Sequence, residues 1–270
     1  MAGKKKDTSL LHHLIGSRSL VWNLAKNDIK KKFAGSYFGV VWAFVQPVIT
    51  VLLYWFVFEK GLNSKATDLR TGIEIPFVLW LTAGLVPWFY FQEALNGGTG
   101  VLVEYSYLVK KVVFQIDMLP VVKMISALFT HLFFVAFTIV LFICMGYMPD
   151  WYALQVVYYS FCMILFATGL VYATSAVTVF FRDMKEVVGI LLQIGMWVTP
   201  IMWNFETMVQ IPGWAIAVLK LNPMYYIVSG YRNALINHIG FWEDMGITVY
   251  FWVVTAVILF LGTTVFKRLR

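Results

Sequence analysis

The sequence has little charge and almost no cysteine for its length. Only 13% of its 270 residues are Asp, Glu, Lys or Arg, whereas 60% are hydrophobic. A soluble domain has about 25% charged residues, so this chain has too few to cover a water-exposed surface. The two cysteines lie in apolar stretches and give no support to a disulfide framework or a metal site. The composition therefore predicts a membrane protein.

Carboxylates are also missing from the interior of the apolar stretches. An ion-coupled carrier usually places such groups near the centre of the bilayer. Lys123 lies near one end of a stretch, and His131 lies deeper, where we expect it to pack rather than relay protons. The segment Asn96–Gly100 lacks the Lys-Ser/Thr of a phosphate-binding loop, so we expect a hinge. With no nucleophile–base pair in the sequence, we expect that the isolated chain is not an enzyme and binds no cofactor or metal.

Apolar stretches of about 20 residues predict an all-α membrane protein with six transmembrane helices. The expected spans are Tyr37–Phe58, Pro76–Phe91, Met118–Met145, Trp151–Phe181, Val187–Trp203 and Thr248–Phe266. Most of the 21 Lys and Arg residues fall at the ends of the spans that share a side with both termini. The positive-inside rule therefore predicts that both termini are cytoplasmic.

The connections divide the chain further. The expected units are a basic N-terminal arm with an interfacial helix (residues 1–36), a transmembrane domain (37–270), a cytoplasmic loop (92–117) and a broken apolar segment (204–240). The last segment is too apolar for an ordinary exterior loop, and Pro212 and Pro223 make each of its pieces too short to span. A re-entrant helical segment after the fifth span is therefore expected, with a loop on the lipid surface as the alternative.

Several short motifs carry a family resemblance when they are taken in order. They are Asn27-Asp28-Ile29-Lys30-Lys31-Lys32, Gly35-Ser36-Tyr37-Phe38-Gly39-Val40-Val41-Trp42, Gln46-Pro47, Gly84-Leu85-Val86-Pro87-Trp88, Leu108-Val109-Lys110-Lys111-Val112-Val113-Phe114, Leu119-Pro120, Phe181-Arg182-Asp183-Met184, Leu221-Asn222-Pro223 and Tyr231-Arg232. Together they resemble the ABC-2 type polysaccharide-export permeases over nearly the whole chain. Gln115-Ile116-Asp117, where many members have proline after the Phe, resembles the branch that translocates wall teichoic acid in Gram-positive bacteria.

The resemblance implies a permease subunit in a bacterial cytoplasmic membrane. Such a chain forms a homodimer, pairs with two copies of an ABC ATPase that bind ATP and Mg, and flips a polyprenyl-diphosphate-linked polymer. Wall teichoic acid is the expected polymer, and O-antigen or capsule polysaccharide is the alternative. Membrane lipids are expected contacts and nucleic acid is not. A membrane-embedded enzyme or an ATP-independent carrier acting on polyprenyl-linked glycans is the alternative from a different class.

The resemblance also assigns roles to residues near the expected entrance. The basic arm of Lys26, Lys30, Lys31 and Lys32 would attract the diphosphate, although topology and anionic lipid explain the same lysines. The groove between the first and fifth spans of two subunits would be lined by Trp42, Phe44, Tyr54, Met196 and Trp197. Aromatic side chains suit a sugar polymer, but they also suit lipid contact.

Two further segments receive roles from the same resemblance. The coupling helix that docks on the ATPase would lie within Gly97–Lys111, with Val101, Tyr105, Leu108, Lys110 and Lys111 as its contact residues. Val101, Tyr105 and Leu108 share one helical face, which suits a partner groove but also packing on the chain's own bundle. The exit would be lined by the re-entrant segment, with Pro212, Asn222 and Pro223.

Overall fold

The computed structural model describes residues 18–32, 34–107, 116–203 and 212–269, and these ranges are mostly helical. The helices are α1 (Arg18–Lys32), α2 (Trp42–Trp55), α3 (Phe77–Thr99), α4 (Val101–Glu104), α5 (Met118–Cys144), α6 (Gln155–Phe180), α7 (Met184–Val198), α8 (Gly213–Lys220), α9 (Pro223–Arg232) and α10 (Met245–Leu269). Strands β1 (Ala66–Thr67) and β2 (Glu74–Ile75) form an antiparallel hairpin between α2 and α3.

A helix lies at each of the six places where the sequence predicts a span. Among the described residues, four continuous helical stretches are long and apolar enough to cross a membrane: Gly39–Gly61, Met118–Cys144, Trp151–Phe180 and Met245–Leu269. The helix α7 has only 15 residues, which is short for a span of about 20. The helix α3 has 23 residues, but Gln92, Glu93 and Asn96 near its end lower its hydropathy. Six helices are thus present among the described residues, and six membrane crossings stay a prediction.

The helix α3 forms the centre of the bundle, because most of its residues are buried against α5, α6, α7 and α9. It continues eight residues beyond the predicted end at Phe91, so residues 92–99 are helical rather than part of a loop. Within the expected hinge Asn96–Gly100, the residues up to Thr99 are helical and the helix ends before Gly100; Thr99 is buried and its hydroxyl lies 2.9 Å from that of Thr174. Small side chains there permit close packing against α6.

The helices α6 and α10 approach each other closely at a pair of glycines. A methyl group on Gly262 would collide with the backbone of Gly169, so only hydrogen fits at this contact. Small residues serve the same purpose where membrane helices cross. This contact fixes the last helix against the centre of the bundle.

Two helices, α2 and α7, are attached to the bundle along narrow faces. Val51 is the buried residue of α2, and Val188 and Leu192 are those of α7. Large apolar side chains elsewhere on both helices are exposed, among them Leu53 and Ile190. The apolar surface left uncovered suits lipid or another subunit rather than water.

The N-terminal helix α1 lies on the side of α5, and an interfacial position for it stays a prediction. Val21 and Ala25 are buried against Met118 and Val122 of α5. The starts of α2, α5 and α7 and the end of α3 lie near α1, and we call this part of the molecule the basic end. The hairpin and the turns after α9 form the opposite end.

Candidate functional site

A cavity of about 730 Å³ opens at the basic end between α1, α2, α3, α5 and α7. We call it the entrance cavity. Its lining includes the aromatic and sulfur-containing side chains of Trp42, Tyr54, Phe89 and Met196, and the amides of Gln46, Gln92 and Asn96. Its charged lining residues are Asp28, Lys31, Lys32, Glu93, Glu104, Lys123 and Lys185. Five helices and the segment after α3 therefore meet around one cavity with seven charged residues and several aromatic side chains in its lining.

Asp28 and Lys123 form a buried ion pair on one wall of this cavity. Lys123 Nζ lies 2.6 Å from Asp28 Oδ1, and the two side chains are 13% and 7% exposed. Lys123 also lies 2.9 Å from Glu104 Oε2, which is at the end of α4. Because Lys123 has two carboxylate partners, its charge is compensated although the side chain is buried. The pair joins the N-terminal helix to α5 and to the segment that follows α3.

Tyr105 completes this cluster. Its hydroxyl donates a hydrogen bond of 2.8 Å to Asp28 Oδ1, and its side chain is buried. Burial and the hydrogen bond to the Asp28 carboxylate raise the pKa of the Tyr105 hydroxyl, so it stays protonated and acts as a donor. We call Asp28, Lys123, Glu104 and Tyr105 the latch cluster. It ties three separate parts of the chain together.

Two of the four predicted arm lysines line the cavity. Lys31 donates to the Tyr107 hydroxyl at 3.2 Å and lies over the Tyr105 ring. Lys32 forms an ion pair of 2.7 Å with Glu93 of α3. Lys26 instead lies over the Trp22 ring, and Lys30 points to the exposed side of α1 away from the cavity lining. The structure therefore separates the arm into two lysines at the cavity and two outside it.

Three of the five predicted groove residues also line the entrance cavity, namely Trp42, Tyr54 and Met196. Phe44 does not, because its ring packs against Phe133 of α5 with the centroids 4.1 Å apart. Trp197 is exposed on the face of α7, and its carbonyl accepts a hydrogen bond from Trp203 Nε1. The cavity thus brings one face of α2 and both Lys185 and Met196 of α7 together with the lysines of α1.

The helical face predicted to contact the ATPase packs against the chain's own helices where it is described. Val101 and Tyr105 are 0% and 3% exposed, and they pack with Leu119, Tyr172 and Phe266 of the same chain. Their assignment as contact residues for a partner is wrong for this conformation, and the alternative of packing on the bundle describes them. Leu108, Lys110 and Lys111 lie outside the described residues. Val103 and Tyr107 are exposed apolar side chains on this segment.

The described part of the predicted exit segment, residues 212–240, contains the two short helices α8 and α9. Pro212 precedes the first residue of α8, and Pro223 begins α9, where its missing N–H has no helical partner to lose. Asn222 caps α9 by accepting from the Met224 N–H, and its side-chain amide donates to Thr199 Oγ1 at 2.8 Å. Asn222 therefore holds α9 against the chain that leaves α7. A re-entrant position in a membrane stays a prediction.

Arg232, at the end of α9, is a structural residue that the sequence analysis leaves without a role. Its side chain is buried and donates to the carbonyls of Pro200 at 2.6 Å and Ile201 at 2.7 Å, just after α7. The guanidinium carbon also lies 3.3 Å from the centroid of the Trp80 ring. The guanidinium is a suitable partner for these carbonyls, because the helical hydrogen-bond pattern ends at α7 and would otherwise leave them unpaired. Gly84 and Arg232 both occur in the family motifs, but nothing in those motifs indicates that the two residues meet in the fold.

The surroundings of His131 fit the expected packing role. Its Nε2 lies 3.2 Å from Ser160 Oγ and 3.1 Å from the Tyr231 hydroxyl, within the buried centre of the bundle. His131 is not among the residues that line the entrance cavity. His131 therefore joins α5, α6 and α9 through hydrogen bonds.

Comparison with known proteins places the chain in a family. The family described as ABC-2 type transporter matches residues 19–236. The O-antigen export system permease protein RfbA of Myxococcus xanthus is 24% identical over 229 residues, which are 85% of each chain. Two proteins of that name from Klebsiella pneumoniae are each 20% identical and cover 92% of this chain and 90% of their own length. Since the family match spans most of the described helices, including all walls of the entrance cavity, the chain belongs to the ABC-2 type transporter family.

Proposed function

We propose that this chain is the permease of an ABC exporter that moves a lipid-linked polysaccharide of the O-antigen type across the bacterial cytoplasmic membrane. The observation that carries the proposal is the similarity to O-antigen export permeases along 85–92% of the chain. Wall teichoic acid, the cargo that the sequence suggests, has no support among these relatives. The O-antigen alternative is therefore the better supported substrate class.

Family membership implies an ABC ATPase as partner. We propose that ATP and Mg bind to that subunit, that two copies of it serve a dimer of this chain, and that this chain catalyses no reaction itself. The exposed apolar faces of α2 and α7 support the dimer, since both helices border the entrance cavity and leave most of their surface uncovered. The concentration of lysines at the basic end supports a cytoplasmic position for that end and for both termini.

The entrance cavity supports the direction of transport within this proposal. A polyprenyl-linked sugar has an anionic head group and an apolar tail, so it needs a polar space that opens beside lipid. The cavity offers lysines and aromatic side chains, and one wall is α2, whose outer face is apolar and exposed. The head group would enter at the basic end, and movement of the ATPase would reach the cavity through the segment after α3. The latch cluster connects that segment to α1.

Reconstitution tests the proposal. The full-length chain and the ATPase that co-purifies with it are placed in liposomes with lipid-linked O-antigen, and exposure of the polymer to an added glycosidase is measured. We expect exposure with ATP and none with ADP. A Lys→Ala substitution in the phosphate-binding loop of the ATPase is the matched control and should abolish it. Transport without ATP would contradict the proposal and favour a carrier. Chemical change of the lipid-linked sugar without transport would favour an enzyme.

A second experiment tests which class of lipid-linked polymer the complex exports. ATPase activity of the same complex is recorded with lipid-linked O-antigen and with lipid-linked teichoic acid polymer at equal concentration. We expect stimulation by the first only. Stimulation by teichoic acid alone would return the assignment to the branch that Gln115-Ile116-Asp117 suggests.

A further inference from the structure

Two cations of the entrance cavity, Lys31 and Lys185, have no carboxylate partner among the described residues. Lys32 is paired with Glu93, and Lys123 is paired with both Asp28 and Glu104, so the lining has four lysines against three carboxylates and a net charge of +1. Lys31 contacts tyrosines, which are uncharged donors and acceptors, and Lys185 is exposed on the first turn of α7. The cavity therefore carries positive charge at two positions, on different helices.

These two lysines flank the short helix α4. The Cδ atom of Lys185 lies 3.8 Å from the position that a Cβ atom of Gly100 would take, at the start of α4. Lys31 Nζ lies 5.2 Å from the ring centroid of Tyr105, at the end of α4. With a rise of about 1.5 Å per residue, the backbone of Gly100 and that of Tyr105 are about 7–8 Å apart along the helix. Lys31 and Lys185 thus approach α4 near its two ends, and both line the entrance cavity, so their flexible ammonium groups can turn toward one anion held there.

The rest of the cavity suits a sugar beside that anion. A volume of about 730 Å³ is within the range of about 300–1,000 Å³ usual for ligand pockets. Trp42 and Tyr54 provide aromatic faces for the apolar side of a sugar ring. Gln46, Gln92 and Asn96 have amides that can donate to and accept from sugar hydroxyls.

We propose that Lys31 and Lys185 together bind the diphosphate of a polyprenyl-diphosphate-linked sugar, with the first sugar held in the entrance cavity. The proposal rests on the proposed function for the identity of the lipid. It assigns a binding role to Lys185, which lies on the helix α7, and it removes that role from Lys26 and Lys30. Because one lysine is on α1 and the other on α7, the ligand would bridge two helices that border the cavity.

Calorimetric titration measures this binding. The full-length chain is placed in phosphatidylcholine nanodiscs and titrated with farnesyl diphosphate, with inorganic diphosphate as a competitor. We expect Lys31→Gln and Lys185→Gln each to raise Kd at least about tenfold, the size of one lost charged contact of about 1.4 kcal/mol. Lys185→Arg, which keeps the charge, should bind within about threefold of the original chain, or about 0.7 kcal/mol.

Matched control variants distinguish a specific diphosphate site from nonspecific attraction by a basic surface. Arg182→Gln removes a neighbouring exposed charge outside the cavity lining, and Lys30→Gln does so on α1. Both should leave Kd within about twofold, or about 0.4 kcal/mol. An equal loss in these variants would overturn the proposal in favour of diffuse charge, and full binding by Lys185→Gln would overturn it directly. Loss of farnesyl diphosphate binding when phosphatidylglycerol is added to the nanodiscs would assign the lysines to bilayer lipid instead.

The two proposals fail in different experiments. If ATP-dependent export continues at the original rate in Lys31→Gln and Lys185→Gln chains, the diphosphate site is wrong while the exporter stands. If these variants lose farnesyl diphosphate binding but the original complex exports nothing, the site stands and the exporter does not.

Discussion

Asp28 of α1 and Lys123 of α5 are 95 positions apart in the sequence, yet their charged atoms lie 2.6 Å apart inside the protein. Glu104 shares the same lysine at 2.9 Å. Removing one member of a buried ion pair leaves an uncompensated charge, which typically costs about 3–5 kcal/mol. Because Glu104 remains, we expect Asp28→Asn to cost less, about 2–3 kcal/mol of stability.

Thermal unfolding of the purified chain in detergent checks this prediction, together with limited proteolysis of α1. Asp28→Asn should lower the unfolding temperature and speed cleavage within residues 18–32. Asn27→Asp is the matched control, because Asn27 is the exposed neighbour of Asp28. Equal proteolysis of α1 in the original and Asp28→Asn chains would mean that the pair does not fix this helix.

Tyr105 gives a second prediction, since it donates to Asp28 from the segment after α3. Tyr105→Phe keeps the ring and removes one hydrogen bond to a charged acceptor, worth about 1.5–3 kcal/mol. Tyr105→Asp would place a second carboxylate beside Asp28 in a buried position, and we expect the chain to fail to fold. The measurement is unfolding temperature, with Tyr107→Phe as the control because Tyr107 is exposed and its bond to Lys31 contributes little. A Tyr105→Asp chain of normal stability would show that this side chain faces out in solution.

The inward position of Tyr105 shows what the sequence can predict and what it cannot. Spacing along a helix establishes that Val101 and Tyr105 share a face, but it does not establish what covers that face. In the structure Leu119, Tyr172 and Phe266 cover it, and these residues come from three other helices. The helices themselves follow from the apolar stretches, which is why all six were predictable within several residues.

The entrance cavity is partly predictable for a similar reason. Lys31, Trp42 and Met196 could be selected through family motifs and through the expected proximity of the first and fifth helices. The latch cluster could not, since its contacts depend on how α1 and α5 pack, and no local pattern encodes a contact across 95 positions. The role of Arg232 was not predictable, for a different reason. Hydropathy predicts the apolar segment that contains Arg232, but it does not predict that three backbone carbonyls accept hydrogen bonds from the guanidinium.

Asp68 gives a pH-dependent prediction at the opposite end of the molecule, in the hairpin loop. Burial raises its pKa, but hydrogen bonds from the Thr71 hydroxyl and from the backbone N–H groups of Arg70 and Thr71 outweigh this, so the pKa lies below its ordinary value. The unfolded loop therefore binds more protons than the folded loop as the pH falls through this region. The stabilisation is present above the ordinary aspartate pKa of about 3.9 and is lost as the pH falls through the lower folded value.

Hydrogen exchange of the loop amides checks this. Protection of the Arg70 and Thr71 amides should be constant from neutral pH to about pH 5 after correction for intrinsic exchange, and should decrease below about pH 4. Asp68→Asn should show weaker protection at neutral pH and little further change on acidification. Glu74→Gln is the control, because Glu74 is an exposed carboxylate in the same hairpin. Equal acid sensitivity in the Asp68→Asn chain would assign the effect to another group.

Gly84 and Arg232 give the last prediction. A Cβ atom on Gly84 would lie 2.7 Å from Arg232 Nη2, so Gly84→Ala must displace the guanidinium from the carbonyls of Pro200 and Ile201. Overpacking of this kind costs about 1–3 kcal/mol, and any carbonyl left unpaired adds to it. Unfolding temperature in detergent measures the loss. Gly189→Ala on α7 is the matched control, because no atom lies within 4 Å of its added methyl and alanine favours a helix.

A double substitution distinguishes the steric clash between the added methyl group and Arg232 from a direct effect of the Gly84→Ala substitution on the helix α3. Arg232→Met removes the donors and leaves space, so Gly84→Ala should cost much less in that background than alone. Two residues in contact are expected to show such non-additivity, with a coupling of about 0.5–3 kcal/mol. Additive losses would mean that Gly84→Ala acts through the helix α3 itself. Coupling would establish that Gly84 is required because the guanidinium of Arg232 occupies the space beside it while bonding to the carbonyls that follow α7.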